Sequence, residues 1–351
     1  MPAILSGMKT WRVVRFAQHL HPVFDERLRR EPAIDLHVAP LPTRADDVAA
    51  ALSRAEVYHV GSARDELSPH AFVTPALLER FPDLLFVSTY GAGYDSVDVP
   101  ACTRAGVLVM NQAGANGESV AEHTIALILN AAHRIGEQDR RMRTERIATR
   151  ESVMGHEISG LTLGLVGIGH IGTRVAQMAT AFRLKVIATD PFVPPAEILR
   201  RGATPVSFDE LIAGSDIVSL HCPRDPSTLG MMSAARFAQM KRGALFISTA
   251  RGGIHDEQAL ADSIRSGHLA GAGLDVWETE PPPLDHPLLA LPSVVASFHT
   301  AGVTHEARRN IAAMGSEQIV QALRGDKPPR LVNPEAWGAF RERFEERRAV
   351  A

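Results

Sequence analysis

Cysteine is nearly absent: Cys102 and Cys222, far apart, are the 2 in a chain of 351 residues. With no CxxC pair they suggest neither a disulfide framework nor a zinc cage, so no metal is expected and a reducing compartment is. Long apolar runs are missing as well. No stretch approaches the ~18 residues of a membrane helix, and Met1 to Trp11 shows no basic segment followed by an apolar one. A cytoplasmic protein with no membrane contact is expected. Charge of one sign is also lacking, with 37 Lys and Arg against 40 Asp and Glu, net −3. No basic surplus exists to neutralise a row of phosphates, which argues against nucleic acid as a partner. Glycine and proline, 27 and 23, are too few for a low-complexity or collagenous chain.

What is present is an ordinary globular balance, 45% apolar and 22% charged, and a length that suggests about two domains at ~150 residues each. Short apolar runs alternate with amphipathic ones. Strands are expected at Trp11 to Ala17, Ile34 to Ala39, Val57 to Gly61, Leu84 to Thr89 and Val107 to Met110. A second series follows at Leu161 to Val166, Lys185 to Thr189, Asp216 to Leu220, Ala244 to Ser248, Ala270 to Leu274 and Val294 to Ser297. Strands interleaved with helices make βα units, hence an α/β fold of two doubly wound, Rossmann-like domains with parallel sheets. Between the series, Val120, Ala121, Ile125, Leu127, Ile128 and Ala131 recur at helical spacing and predict one long helix over Glu118 to Arg146. Thr304 to Leu323 reads as a helix, and Arg341 to Arg348 as an exposed helix or frayed tail.

The strongest local signal is Gly167-Ile168-Gly169-His170-Ile171-Gly172, a GxGxxG at a strand end with helical Val175, Ala176 and Ala179 behind it. Gly167 permits the tight turn, Gly169 lets a pyrophosphate approach the backbone, and Gly172 lets the helix pack closely. The helix N-terminus then faces the anion. Asp190 ends the next strand 18 residues past Gly172, near the ~20 expected of the acid that binds an adenosine ribose. Its charge would repel a 2′-phosphate, and Pro191-Phe192 follows rather than an arginine, so NAD is favoured over NADP. Taken singly, the glycines could form a plain turn and Asp190 could cap its strand.

Three polar residues then stand at the ends of later strands: Arg251, Glu280 and His299. Open α/β sheets bind ligands there. An arginine fork matches a carboxylate, a histidine titrates near neutral pH, and an adjoining glutamate would hold the ring and favour its protonated form. Singly, Arg251 could tie loops, Glu280 could be a solvated acid and His299 a core histidine. Together they make an anion clamp, an orienter and a proton donor.

The run resembles the D-isomer-specific 2-hydroxyacid dehydrogenase family, which includes phosphoglycerate dehydrogenase and glyoxylate/hydroxypyruvate reductase. It does so over residues 55 to 335, through Gly91-Ala92-Gly93-Tyr94-Asp95, Ser119 to His123, Gly167 to Gly172, Asp190-Pro191-Phe192, His221-Cys222-Pro223, Ala250 to Gly253, Leu274 to Trp277 and Glu280-Pro281. The resemblance implies that Arg251, Glu280 and His299 are catalytic, and that Ala92 and Gly93, with Arg251, hold the substrate carboxylate. It also implies His170 and Ile171 at the pyrophosphate, Cys222 and Pro223 along the cofactor, Thr228 near its phosphates, and Ala250 and Asp275 at the nicotinamide, with Asp275 accepting from the carboxamide. Departures are His170 in place of the usual arginine, Ala113 where an Asn-x-Pro turn is usual, and Phe298 where proline usually precedes the histidine. No regulatory extension after residue 340 is expected.

The expectation is thus a substrate domain of residues 1 to 112 plus 301 to 351, flavodoxin-like, and a Rossmann NAD domain of residues 113 to 300. A cleft between them would hold the active site. The resemblance also implies a homodimer clasped by the Glu118 to Arg146 helix. The reaction would interconvert a 2-keto acid and a D-2-hydroxy acid. The alternatives are an NAD-sensing, corepressor-like binding protein of the same fold, or a dehydrogenase of another small acid such as phosphite. Arg64 is either a second anion contact or a solvated loop residue.

Overall fold

A computed structural model describes residues 9–62 and 67–349. The chain divides into two compact units, residues 1–116 with 305–351 and residues 117–304.

The first unit is built on five parallel strands: β1 (Trp11–Phe16), β2 (Ile34–Ala39), β3 (Val57–Val60), β4 (Phe86–Thr89) and β5 (Leu108–Met110), in the order β2-β1-β3-β4-β5. That is a flavodoxin-like order, and both faces of the sheet are covered. Alternating side chains feed two cores: Val14, Tyr58 and Val87 enter one, Val13, Val57 and Phe86 the other. The second core is closed by the returning chain, helices His305–Arg324 and Trp337–Ala349. Phe340 and Phe344 lie one helical turn apart and are fully buried, and Phe344 stacks on Trp11 with ring centroids 4.9 Å apart. The charged C-terminal segment is therefore a packed amphipathic helix, not a frayed tail: two phenylalanines at i and i+4 outweigh its many charges.

The second unit has seven parallel strands: β6 (Thr162–Val166), β7 (Lys185–Thr189), β8 (Thr204–Pro205), β9 (Ile217–Leu220), β10 (Leu245–Ser248), β11 (Gly271–Leu274) and β12 (Val294–Ala296), in the order β12-β11-β10-β9-β6-β7-β8. Without β12 this is the dinucleotide-binding order, and its switch point falls between β6 and β9, where the strand order reverses. β8, with 2 residues, is too short to leave a periodic signal. Helix Gly117–His133 lies across β10 and β11; a Cβ on Gly273 would stand 2.8 Å from the Leu127 Cβ, so the glycine admits that helix.

The long helix expected over Glu118 to Arg146 is two helices, Gly117–His133 and Ile135–Thr144. Arg134 between them is left-handed, φ 57° and ψ 33°, while the Asn130 side-chain oxygen accepts from the Gly136 N–H at 2.7 Å. Arg134 is held there by Glu137, which takes its Nε and Nη2 at 2.8 and 2.7 Å. Apolar periodicity, which ends at Ala131, carries no mark of such a break because it records which face is buried, not whether φ stays negative.

Candidate active site

At the carboxyl end of β6, Gly167 has φ +95°, and a Cβ there would lie 2.9 Å from the backbone of His221 and Cys222, just past β9. A Cβ on Gly172 would stand 2.3 Å from the Gly167 carbonyl oxygen, so the helix His170–Ala181 seats on the turn only with glycine there. Gly169 caps that helix, and a Cβ on it would meet nothing within 4 Å. Two glycines thus close the turn against its neighbours, and the third leaves open space over a helix N-terminus. Asp190 follows β7 beside a cavity of about 600 Å³ lined by Thr189, Phe192, Ile198, Val206 and Ser207. Its Oδ2 accepts from the Ile168 N–H and its Oδ1 from the Phe192 N–H, both at 3.0 Å. Those bonds hold both oxygens in place, and each keeps a lone pair. The turn, the open space and the acid fit a dinucleotide.

β11 and β12 deliver the acid–base groups. Glu280 sits in the loop between them and His299 just after β12. His299 Nδ1 lies 2.8 Å from Glu280 Oε2, with 29% and 17% of the two side chains exposed. His299 is left-handed, φ 54°, and its N–H donates to the Asp275 carbonyl at 2.7 Å. The buried Asp275 carboxylate secures the same turn, accepting from Ser297 Oγ (2.6 Å), Thr300 N (2.8 Å) and Ala301 N (2.9 Å). Ser297 Oγ also meets His123 Nε2 at 2.9 Å. Such a set of bonds holds a histidine in a conformation it would otherwise avoid.

Burial works against a charged His299, but the hydrogen bond and charge of Glu280 outweigh it, with help from Asp275 and against Arg251, so the imidazolium is held above its ordinary range. Glu280 is raised by burial yet ends below its ordinary value, because His299, the Trp277 N–H and Arg251 all favour the carboxylate. Arg251 thus stands within electrostatic reach of both. Nδ1 being engaged, Nε2 is the ring nitrogen available to a substrate.

Arg251 follows β10, where its Nη1 donates to the Ala250 carbonyl at 2.8 Å. The adjoining Gly252 is pressed against the loop of Glu280: a Cβ would lie 1.8 Å from the Trp277 carbonyl oxygen. Cys222 and Pro223 follow β9 beside Gly167, and burial pushes the Cys222 thiol up to about 11, which keeps it unreactive. The Thr228 hydroxyl donates to the Pro223 carbonyl at 2.8 Å and accepts from the Asp225 N–H at 2.9 Å, bracing that loop. His170 and Ile171 open the helix after Gly169.

In the first unit, Ala92 and Gly93 follow β4. The Gly91 carbonyl accepts from the Gln112 N–H and the Ala92 carbonyl from Asn111 Nδ2, both at 2.8 Å. A trans peptide sets each N–H opposite its carbonyl, so the amides of Ala92 and Gly93 point away from Gln112 and Asn111. Arg64 lies outside the described residues.

Residues the sequence did not single out complete the arrangement. The Trp277 N–H donates to Glu280 Oε1 and its indole Nε1 to the Ser297 carbonyl, both at 3.0 Å. Its place in the Leu274 to Trp277 run was the available signal, but backbone bonds carry no residue signature.

A doubly wound dinucleotide domain with an acid–base pair at the carboxyl end of its sheet defines a class of NAD-linked proteins. Residues 125–301 match the NAD-binding domain of the D-isomer specific 2-hydroxyacid dehydrogenases. A glyoxylate reductase of Korarchaeum cryptofilum is 38% identical over 262 residues, 74% of this chain and 79% of that protein. A D-3-phosphoglycerate dehydrogenase of Archaeoglobus fulgidus is 40% identical over 253 residues, 72% of this chain and 48% of that protein. Among solved structures, a glyoxylate reductase from Paecilomyes thermophila superposes with a TM-score of 0.83 at 27% identity, over 95% of this chain and 99% of that one. The chain belongs to the D-isomer specific 2-hydroxyacid dehydrogenase family, and its second unit is the NAD-binding domain. It spans about half the length of the phosphoglycerate dehydrogenases it matches. Among the described residues no helix is long and apolar enough to cross a membrane.

Proposed function

We propose that this chain reduces a 2-keto acid to a D-2-hydroxy acid with NADH, and runs the reverse oxidation with NAD. The observation that carries the reading is the 2.8 Å contact between His299 Nδ1 and Glu280 Oε2 with Arg251 in electrostatic reach, in the unit that also carries the dinucleotide turn. When bound, the nicotinamide supplies hydride for the carbonyl carbon. Protonated His299 gives its Nε2 proton to the carbonyl oxygen, and Glu280 keeps that proton available at neutral pH. Arg251 offsets the charge that builds on the oxygen, a type of contact worth ~3–4 kcal/mol per donor, and pairs with the carboxylate. The amides of Ala92 and Gly93 are the further carboxylate donors.

Asp190 takes the ribose hydroxyls and sets NAD apart from NADP. Gly167 to Gly172 hold the pyrophosphate. Asp275, whose Oδ2 takes one bond from Ala301, has a lone pair left for the carboxamide. Cys222, Pro223, Thr228 and Ala250 take the remaining cofactor roles that the family resemblance implies. A homodimer formed through residues 117–144 is consistent with the exposure of Ile135 and Met142, 54% and 80%.

The test is NADH oxidation by purified protein against glyoxylate, hydroxypyruvate, pyruvate, phenylpyruvate and 3-phosphohydroxypyruvate. Turnover of at least one is expected. Tight NADH binding with no turnover on any would replace this reading with the corepressor-like one.

A further inference from the structure

The Glu280–His299 pair depends on a loop that has little regular structure of its own, and one buried carboxylate ties that loop at two points, on either side of Glu280. Glu257 opens the helix Glu257–Arg265, capped by Asp256. Its side chain is 10% exposed and that of His286 is 11% exposed. Glu257 Oε1 accepts from the Glu278 N–H at 2.7 Å, at the start of the loop. Its Oε2 meets His286 Nε2 at 2.9 Å, farther along the loop. His286 Nδ1 accepts from the Leu288 N–H at 3.3 Å, so the bond network assigns the ring proton to Nε2, directed at Glu257. The imidazole and the Trp277 ring pack edge to face, ring centroids 5.4 Å apart and planes 77° apart. Trp277 in turn holds Glu280 Oε1 through its N–H and the turn of His299 through its indole.

We propose that Glu257 and His286 are positioning residues: a buried carboxylate–imidazole clamp that fixes Trp277 and Glu278, and through them keeps Glu280 against His299. Neither touches the reacting atoms. The inference rests on the acid–base reading of Glu280 and His299. It predicts that loosening the clamp mimics a weakened Glu280, because displacement by ~1 Å in such a site costs on the order of a hundredfold in rate. The charged groups facing His299 are Glu280, Arg251 and Asp275. Releasing Glu280 removes the main group that holds its proton.

The experiment compares wild type, Glu280→Gln, His286→Phe, His286→Gln and Glu257→Gln. Two readouts are taken: the pH profile of keto-acid reduction, and the His299 ring titration followed by NMR of histidine-labelled protein, which needs no turnover. In Glu280→Gln the titration should move down, and with it the upper pH limit of reduction. His286→Phe should move both in the same direction and lower kcat by about ten- to a hundredfold, with KM for NADH unchanged. His286→Gln places an amide N–H where Nε2–H stood and should return kcat to within about threefold of wild type. If His286→Phe does not fold, Glu257→Gln, which sets an amide against the imidazole N–H, must show the same downward shift. If Glu280→Gln shifts the titration and neither clamp variant does, the clamp is overturned. If Glu280→Gln itself leaves the titration in place, the acid–base pairing has failed instead.

Discussion

Gly252→Ala puts one methyl group where the structure has no room. The added Cβ would stand 1.8 Å from the Trp277 carbonyl oxygen, 2.2 Å from its carbon and 2.7 Å from the Glu278 nitrogen. All three are backbone atoms, so no side chain can swing aside. Restoring ordinary contact at ~3.4 Å means the two segments must part by roughly 1.6 Å. Overpacking of this kind costs ~1–3 kcal/mol or more, which at about 2–4 °C per kcal/mol for a unit of this size lowers Tm by about 2–12 °C. The shift falls between Arg251 and the Trp277 N–H that holds Glu280, so kcat/KM for the keto acid should drop by ~10² or more, with NADH affinity changed far less. Gly169→Ala is the contrast: its Cβ would meet nothing within 4 Å, so Tm should hold within about 1–2 °C. NADH affinity, however, should fall at least tenfold, because the methyl occupies the space the pyrophosphate needs. Thermal melts, NADH fluorescence titration and steady-state kinetics decide the matter. Wild-type kcat/KM in Gly252→Ala, or unchanged NADH binding in Gly169→Ala, would refute the reasoning.

Replacing Asp190 with Ser removes the charge that repels a 2′-phosphate, so the ratio of kcat/KM for NADH over NADPH should narrow at least tenfold; an unchanged ratio would remove Asp190 from that role. His299→Gln keeps a hydrogen-bond donor but no transferable proton, and kcat should fall by ~10²–10⁴ with little change in KM. Arg251→Lys, which loses the planar fork, should chiefly raise KM for the acid; steady-state kinetics of the two variants separate the roles. His255 is 2% exposed with neither ring nitrogen partnered, and burial pushes its pKa down from 6.5 to about 4. The unfolded chain therefore takes up the proton first as pH falls, and between about pH 6.5 and 4 this one group removes ~3 kcal/mol of stability. His255→Leu should lose correspondingly less between pH 7 and 4.5 in urea titrations of the folded protein, and equal losses would count against the burial argument.

Apolar runs and glycine spacing are local quantities, and they carried the α/β architecture into the sequence. Short β-branched and apolar runs bounded by charged or turn residues mark strands, so Ile34 to Ala39 and Lys185 to Thr189 could be delimited from residue types alone and coincide with β2 and β7, although both are only partly buried. Gly172 was legible because a contact within six residues imposes it, the 2.3 Å approach to the Gly167 carbonyl, and Gly167 and Gly169 were legible through their fixed spacing from it. Asp190, Arg251, Glu280 and His299 were visible as polar residues where strands end.

Other features depend on groups far apart in the chain or on backbone atoms that every residue shares. The break at Arg134 follows from a left-handed φ secured by Glu137 and Asn130; apolar periodicity does not register it. The C-terminal helix is packed because Trp11, more than 300 residues away, offers a ring to Phe344. Glu257 and His286 are 29 residues apart and meet at 2.9 Å only once the helix and loop are folded. Composition and spacing determined which elements form and where chemistry could stand, since burial and turn geometry are written locally. The distances that let Glu280 hold His299, and Trp277 hold both, were decided by tertiary packing, because they arise from one chain satisfying its buried donors and acceptors all at once.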